Sequence, residues 1–295
     1  MAEGRAAVAK VAEMAGQEGC GMPVWDPEQY ARFADHRDRP FHDLLARVGT
    51  TEAGRVVDLG CGPGGLTATL CHRWPRAQVV GIDSSAEMID RARRLTRERL
   101  AGGGPVEEGL AGERLTFVCA DLRDWLAAAE RTAYDVVVSN ATLQWVPDHL
   151  ALLPALVDLL RPGGWLAIQI PGNHDAPLHA ILRELATSEP YAGYAAHAAD
   201  RFSLPGPQDY LAELAGRGYA VDAWETTYLQ VLQGPDPVYE WICGTGARPV
   251  LQSLPDDLLG QFVREYQARL RQAYPQQGFG TVLPFRRVFA VARRG

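Results

Sequence analysis

The chain has 295 residues, 47% hydrophobic and 22% charged, with a net charge of −7 at neutral pH. That length suits one large α/β domain carrying a cap, and the acidic excess argues against a general affinity for nucleic acid, whose phosphates require a basic face. No run approaches the roughly 18 apolar residues of a membrane span, and Cys20, Cys61, Cys71, Cys119 and Cys243 show neither CxxC nor Cys/His ligand spacing, which predicts no disulfide framework, no metal site and a reducing cytoplasm.

In chain order, Met1 to Gly21 is rich in Ala, Gly and Glu and lacks the apolar core of a secretion signal, so residues 1–22 read as a tail. From Arg55 short β-branched runs alternate with helical patterns, the signature of a parallel sheet covered by helices. Strands are expected at Arg55–Leu59, Gln78–Asp83, Leu115–Asp121, Asp135–Asn140 and Trp165–Pro171, and helices at Gly65–Arg73, Ala86–Leu100 and His149–Leu160. Ser84 or Ser85 caps the second helix, whose Met88, Ile89, Ala92 and Leu95 recur at helical spacing. The stretch "AGGGPVEEGLAGER" joins a helix to a strand, at the edge away from the carboxyl ends of strands where ligands bind.

Beyond Pro171 helices broken by Pro and Gly are expected near Ala176–Ser188, Gln208–Arg217, Pro237–Ile242 and Pro255–Ala273, with two β-like runs at Ala220–Leu232 and Thr281–Arg293. The fold class is therefore α/β: a Rossmann-like, doubly wound, mostly parallel sheet with an antiparallel closing strand and a mainly helical cap. Residues 23–171 form the nucleotide-binding core with amino-terminal lid helices. Residues 172–295 form the substrate cap plus the last two strands.

"VVDLGCGPGG" runs a strand into a turn with the spacing Gly60-x-Gly62-x-x-Gly65, and Asp83 follows about twenty residues on, as in a dinucleotide fingerprint. The glycines alone leave NAD and a phosphate-free nucleoside both open. Asp58, two residues before the first glycine, would repel a pyrophosphate and suits a cation. Asp83 ends the second strand, where a carboxylate accepts from two ribose hydroxyls, and Asp121 in "CADLRDW" stands where an adenine amino group could donate.

Taken together, "DLGCGPG", "GIDSS", "CADLRDW", "SNATLQW" and "LRPGG" resemble, in order, the motifs of class I S-adenosylmethionine-dependent methyltransferases. The resemblance implies S-adenosylmethionine as cofactor, with Gly60 and Gly62 admitting its methionyl part, Asp58 near its ammonium, Asp83 on the ribose, Asp121 on the adenine and Asn140 lining the cleft. Ser84 and Leu122, beside two of these acids, complete the cofactor-binding set.

The chain from Trp25 almost to its end further resembles the trans-aconitate methyltransferases, through "WDPEQYARFADHRDRP", "SNATLQWVPDH", "IQIPGN", "VDAWETTYLQ", "WICGTGARP" and "PFRRVFAVARR". That resemblance implies esterification of a small polycarboxylate. A carboxylate is already ionised at neutral pH, so no catalytic general base is expected, and Trp145 and Tyr30 are the candidates for orienting the reactants. Arg37, Arg39, Arg248 and Arg287 are the candidate carboxylate ligands, because a guanidinium fork matches a carboxylate; His179 is a candidate hydrogen-bond donor to substrate. Alternatives are another small carboxylic acid or secondary metabolite as acceptor, an NAD-dependent oxidoreductase, or a non-catalytic cofactor-binding protein. A monomer and a homodimer both remain open, with no membrane or nucleic-acid partner expected.

Overall fold

The computed structural model describes residues 34–101, 114–199, 204–244 and 246–295. The expected tail and residues 102–113 of the glycine-rich insertion lie outside them. The chain enters through helix α1 (Ala34–Leu45) and then alternates β1 (Arg55–Leu59), α2 (Gly65–Arg73), β2 (Gln78–Asp83), α3 (Ala86–Ala101), β3 (Leu115–Cys119), α4 (Leu122–Ala128) and β4 (Tyr134–Asn140). After α5 (Leu153–Asp158) and β5 (Leu160–Pro171) come α6 (Pro177–Ala186), α7 (Ala192–Ala199) and α8 (Pro207–Ala215). Strand β6 (Ala220–Leu232), helices α9 (Pro237–Cys243), α10 (Arg248–Ser253) and α11 (Asp256–Ala273), and the pair β7 (Gln276–Gln277) and β8 (Gly280–Arg293) complete the chain.

Among the described residues these strands form one sheet, in the order β3-β2-β1-β4-β5-β8-β6, with β7 paired to β8. Pairing is parallel from β3 through β5 and antiparallel at β5–β8 and β8–β6. The order reverses between β1 and β4, and in such sheets the crevice outside the strand carboxyl ends at the reversal receives the ligand.

Alternation along each strand sorts its residues onto two faces. Val56, Val79, Val138, Ala167 and Phe289 join Phe41 and Leu44 of α1, Leu70 of α2 and Ile89 of α3 in one core. Leu59, Val137, Ile168, Ile170 and Val288 face the opposite way, against Trp125 of α4, Leu156 of α5 and Tyr210 of α8. Each fully buried Leu or Phe here contributes roughly 1.5–3 kcal/mol relative to an exposed one. A third core, with Leu182, Ala195, Trp241, Val250 and Phe262, wraps the ends of the two long strands at Leu232, Leu283 and Phe285. Helix α8 lies within the segment assigned to the cap, yet it packs on the sheet.

Several expected boundaries move for local reasons. The third strand stops at Cys119 because Asp121 caps α4, its Oδ1 accepting from Arg123 N at 2.7 Å and Asp124 N at 3.4 Å. The expected helix His149–Leu160 divides into a 3-10 turn at His149–Leu152 and α5, with Pro154 in the first turn of α5, a position that needs no amide donor. "LRPGG" belongs to β5: Leu160 pairs with Tyr134, and after a register shift Trp165 pairs with Val136. Helix α1 falls in the segment expected to carry amino-terminal lid helices and α4 between two expected strands, whereas α7 and α10 have no counterpart among the expected elements.

Candidate functional site

The turn after β1 is fixed by its glycines and by β2. The amides of Gly60 and Cys61 both donate to Ile82 O, at 2.7 and 2.9 Å. Gly60 has φ +81°, and a Cβ there would fall 1.9 Å from Thr142 Oγ1 in the loop after β4. Gly62, at φ +52°, has nothing within 4 Å of where its Cβ would be, so its bare backbone borders open space. Close packing at the head of α2 is the part of Gly64, whose Cβ would lie 2.7 Å from Phe117 Cζ; Gly65, counted in the fingerprint, has no such neighbour.

Asp58 lies beneath this turn, only 3% exposed, and accepts from Thr67 Oγ1 of α2 at 2.7 Å. Burial pushes its carboxyl up from 3.8 to about 6, against the Thr67 bond, and the nearby charge of Asp83 adds to the rise. Asp83 accepts from Gly62 N through Oδ2 and from Ser85 N through Oδ1, each at 2.9 Å. Burial raises its pKa and those two bonds oppose the rise. Each oxygen retains a lone pair for a further donor. Ser84 is exposed at the end of β2, and its neighbour Ser85 caps α3 by accepting from Met88 N at 3.3 Å. Both cap bonds of Asp121 fall on Oδ1, which leaves Oδ2 with lone pairs for an amino donor, and Leu122 beside it is half-buried.

The fourth strand ends at Asn140, and the loop beyond it is bent by positive φ at Ala141 (55°) and Asp148 (51°). Thr142 Oγ1 ties the loop back to Gly60 O at 3.3 Å and Asn140 O at 3.2 Å. Gln144 Nε2 donates to Ala141 O at 2.7 Å, and half-buried Trp145 ends the following 3-10 turn. Buried polar atoms gather here without hydrogen-bond partners among the described residues: Asn140 Oδ1, Gln144 Oε1, both amide atoms of Gln169, and Asn173 Nδ2. Sequence reading did not single out Gln144, Gln169 or Asn173. The one available signal was a polar residue inside the apolar run "LAIQIPGN".

The candidate substrate ligands fall into separate groups. Arg287 is 5% exposed, pairs in register with Pro171 at the carboxyl end of β5, and sets its guanidinium 4.4 Å from the Phe285 ring centroid. His179 of α6 and the turn leading to Arg248 meet in the cap: a Cβ on Gly246 would lie 2.8 Å from the His179 imidazole. Arg248 opens α10 and is half-buried. Arg39 is exposed on α1, 3.8 Å from the Asp43 carboxylate and 5.1 Å from the Tyr228 ring, while Tyr228 donates to Asp43 at 2.7 Å. Tyr30 and the side chain of Arg37 lie outside the described residues. Among the described residues no cluster of three His, Cys, Asp or Glu could hold a metal, and no helix is long and apolar enough to cross a membrane.

Comparison with known proteins adds identity to this geometry. A family model described as a methyltransferase domain matches residues 33–223. A trans-aconitate 2-methyltransferase of Streptomyces avermitilis is 50% identical over 279 residues, covering 92% of this chain and 98% of the relative. Those of Streptomyces coelicolor and Mycobacterium tuberculosis are 49% and 44% identical, again over 92% of this chain and over 87% and 97% of the relatives. Among solved structures, magnesium protoporphyrin IX methyltransferase from Synechocystis superposes with TM-score 0.51 at 16% identity, covering 100% of this chain and 95% of that one. The cyclase SpnF gives 0.53 at 17%, over 99% and 94%. At such identities the likeness is one of fold, and a cyclase on this scaffold shows that the site, not the fold, carries function.

Proposed function

The chain belongs to the trans-aconitate 2-methyltransferase family, and from that premise we propose that it transfers a methyl group from S-adenosylmethionine to a carboxylate of trans-aconitate, forming a monomethyl ester. The observation that carries this reading is the reach of the similarity: 92% of the chain, cap included, at up to 50% identity. A likeness confined to the nucleotide-binding half would speak for the donor alone.

The residues fit a cationic, phosphate-free nucleoside. Asp58 is a buried carboxylate that accepts from the Thr67 hydroxyl, so a cation nearby would offset the desolvation that raises its pKa. The open side of Gly62 admits close backbone approach, Asp83 keeps lone pairs for ribose hydroxyls, and Asp121 keeps an oxygen for an amino group. Asn140 borders the cleft, and Ser84 and Leu122 flank the nucleoside positions. When bound, the donor supplies a methyl group made electrophilic by its sulfonium.

What the protein adds is alignment and exclusion of water, since methyl transfer is an in-line displacement. The accepting carboxylate is ionised at neutral pH, so the chain needs no group to take a proton from it. Arg287 is the most strongly placed of the carboxylate ligands, with Arg37, Arg39, His179 and Arg248 assigned to the same acid and Trp145 and Tyr30 to orientation. We place the reaction in the cytoplasm, in keeping with the free thiols of Cys61, Cys71, Cys119 and Cys243.

Incubation with S-adenosylmethionine and a panel of di- and tricarboxylates, read by mass spectrometry, tests the reading. Trans-aconitate is expected to gain one methyl group. Methylation of a different acid would replace the acceptor and keep the reaction. Tight calorimetric binding of NAD, with none of S-adenosylhomocysteine, would overturn the donor.

A further inference from the structure

Asn140, Gln169 and Arg287 share one face of the sheet. Each stands two residues from a member of the core beneath α1 and α2, respectively Val138, Ala167 and Phe289, while Ile168, Ile170 and Val288 point to the other side. Gln169 pairs with Asn140 across β4–β5, and Arg287, paired with Pro171, is its diagonal neighbour on β8. Diagonal pairs of this kind lie about 7–8 Å apart, a span that one small acid bridges. Asn173 follows two residues beyond Pro171 and is itself buried.

Gln169 is fully inaccessible, and neither its donor nor its acceptor has a hydrogen-bond partner among the described residues. Most buried polar side chains in folded proteins are satisfied, and an amide left unmade in the interior is costly. A leucine would fill the same place on β5 without that cost. A residue that works against the fold in this way is kept for something the fold does not supply.

We propose that Gln169 and Asn173 form a carboxylate subsite for the methyl acceptor, in which these neutral amides hold the carboxylate that reacts while Arg287 takes one that does not. The proposal rests on the methyltransferase reading above and adds a division of labour to it. A guanidinium on the attacking oxygen would neutralise its charge and weaken it as a nucleophile. An amide N–H orients the same oxygen and leaves the charge in place. Position agrees with this assignment: on the methyltransferase reading the donor lies at the end of β4, and Gln169 on β5, with Asn173 two residues past its end, and Arg287 on β8 stand one and two strands further out.

The test compares wild type with Gln169→Leu and Asn173→Ala, measuring turnover of trans-aconitate, affinity for S-adenosylhomocysteine, and melting temperature. Gln169→Leu should melt no lower than wild type and bind S-adenosylhomocysteine within twofold. Its kcat should fall and its KM for the acid rise, for a combined loss in kcat/KM of at least tenfold. Asn173→Ala should give the same pattern more weakly. Wild-type kcat/KM in both variants would overturn the subsite, and a parallel loss of S-adenosylhomocysteine affinity would overturn it in favour of the donor pocket. A raised KM with unchanged kcat would overturn the claim that the amides hold the reacting carboxylate. If wild type methylates another acid and leaves trans-aconitate untouched, the substrate assignment falls, and the same comparison with that acid still decides the subsite. Binding of no carboxylic acid at all would overturn both.

Discussion

At the scale of single residues, Gly60 and Gly62 separate what the fold needs from what the ligand needs. Both hold positive φ, which costs an L-residue roughly 1–2 kcal/mol. A Cβ on Gly60 would also collide with Thr142, whereas one on Gly62 would project into open space. Gly60→Ala is therefore expected to destabilise the protein well beyond the conformational cost, because the loop after β4 must move. Gly62→Ala should lower the melting temperature by only a few degrees and weaken S-adenosylhomocysteine binding at least tenfold, as calorimetry would show. Equal stability losses in the two variants, with binding intact, would mean that Gly62 does not border the donor. The sequence disclosed a glycine turn with an acid before it, an acid ending the second strand and another just beyond the third, since these follow from spacing. It could not say which glycine admits the ligand, because that depends on Thr142 and Phe117, some 80 and 55 residues away in the chain. Gln169 and Asn173 lay inside the run "IQIPGN" but were not singled out as a site for a related reason: an amide becomes informative only when its burial and missing partners are visible.

At the scale of elements, most strands and four helices of the second half (α6, α8, α9 and α11) were read to within a residue or two, whereas β5 begins at Leu160 rather than Trp165 and α7 and α10 were not read at all. β-branched runs between turn residues carry a local signal, as in Arg55–Leu59 and Gln78–Asp83. Helix α7, with the sequence AGYAAHAA, has too little polar contrast to reveal an amphipathic face, and its burial is settled by contacts within the cap. The loop from Ala141 to Asp148 is held from outside by a contact that sequence periodicity could not suggest. His149 Nε2 and Tyr210 Oη of α8 lie 2.7 Å apart in the interior, with the two rings stacked 5.9 Å apart. Because the loop carries Gln144 and Trp145, this pair is expected to position one wall of the proposed cleft. Tyr210→Phe leaves the packing and removes the hydroxyl. It should lower kcat severalfold while S-adenosylhomocysteine affinity and the pH profile stay near wild type. Tyr210→Ala opens a cavity, with an expected cost of about 3–5 kcal/mol in unfolding free energy. An unchanged kcat in the phenylalanine variant would reduce the pair to a core contact.

At the scale of the whole molecule, two buried groups tie stability to pH with opposite signs. Burial raises Asp58 to about 6, so the folded state holds a proton that the unfolded state releases above about 4. That contribution to stability is fully present below pH 3.8 and is lost as pH rises through about 6. Burial lowers His149 below 6.5, so its contribution is present above pH 6.5 and is lost as pH falls, when the unfolded state takes up a proton that the folded state refuses. In wild-type protein the two slopes oppose each other where their windows overlap, below about pH 6. Asp58→Asn keeps an acceptor for Thr67 and removes the buried charge. At pH 7.5 this variant should melt several degrees above wild type in the absence of ligand, and its advantage should shrink as pH falls from 6 to 4. Ligand binding should run the other way. Wild-type affinity for S-adenosylhomocysteine should weaken below about pH 6, as the Asp58 carboxylate proposed to face the ligand's ammonium is neutralised, and the variant's affinity should be lower throughout and nearly independent of pH. Since a ligand that binds only the folded state stabilises it by mass action, saturating S-adenosylhomocysteine should reverse the order of the two melting temperatures at pH 7.5. Thermal denaturation with and without ligand, repeated across pH 4 to 7.5, measures both effects at once. A variant that melts below wild type at pH 7.5 without ligand would show that the Asp58 charge is already satisfied within the fold, and its role as the cation's partner would fall with it.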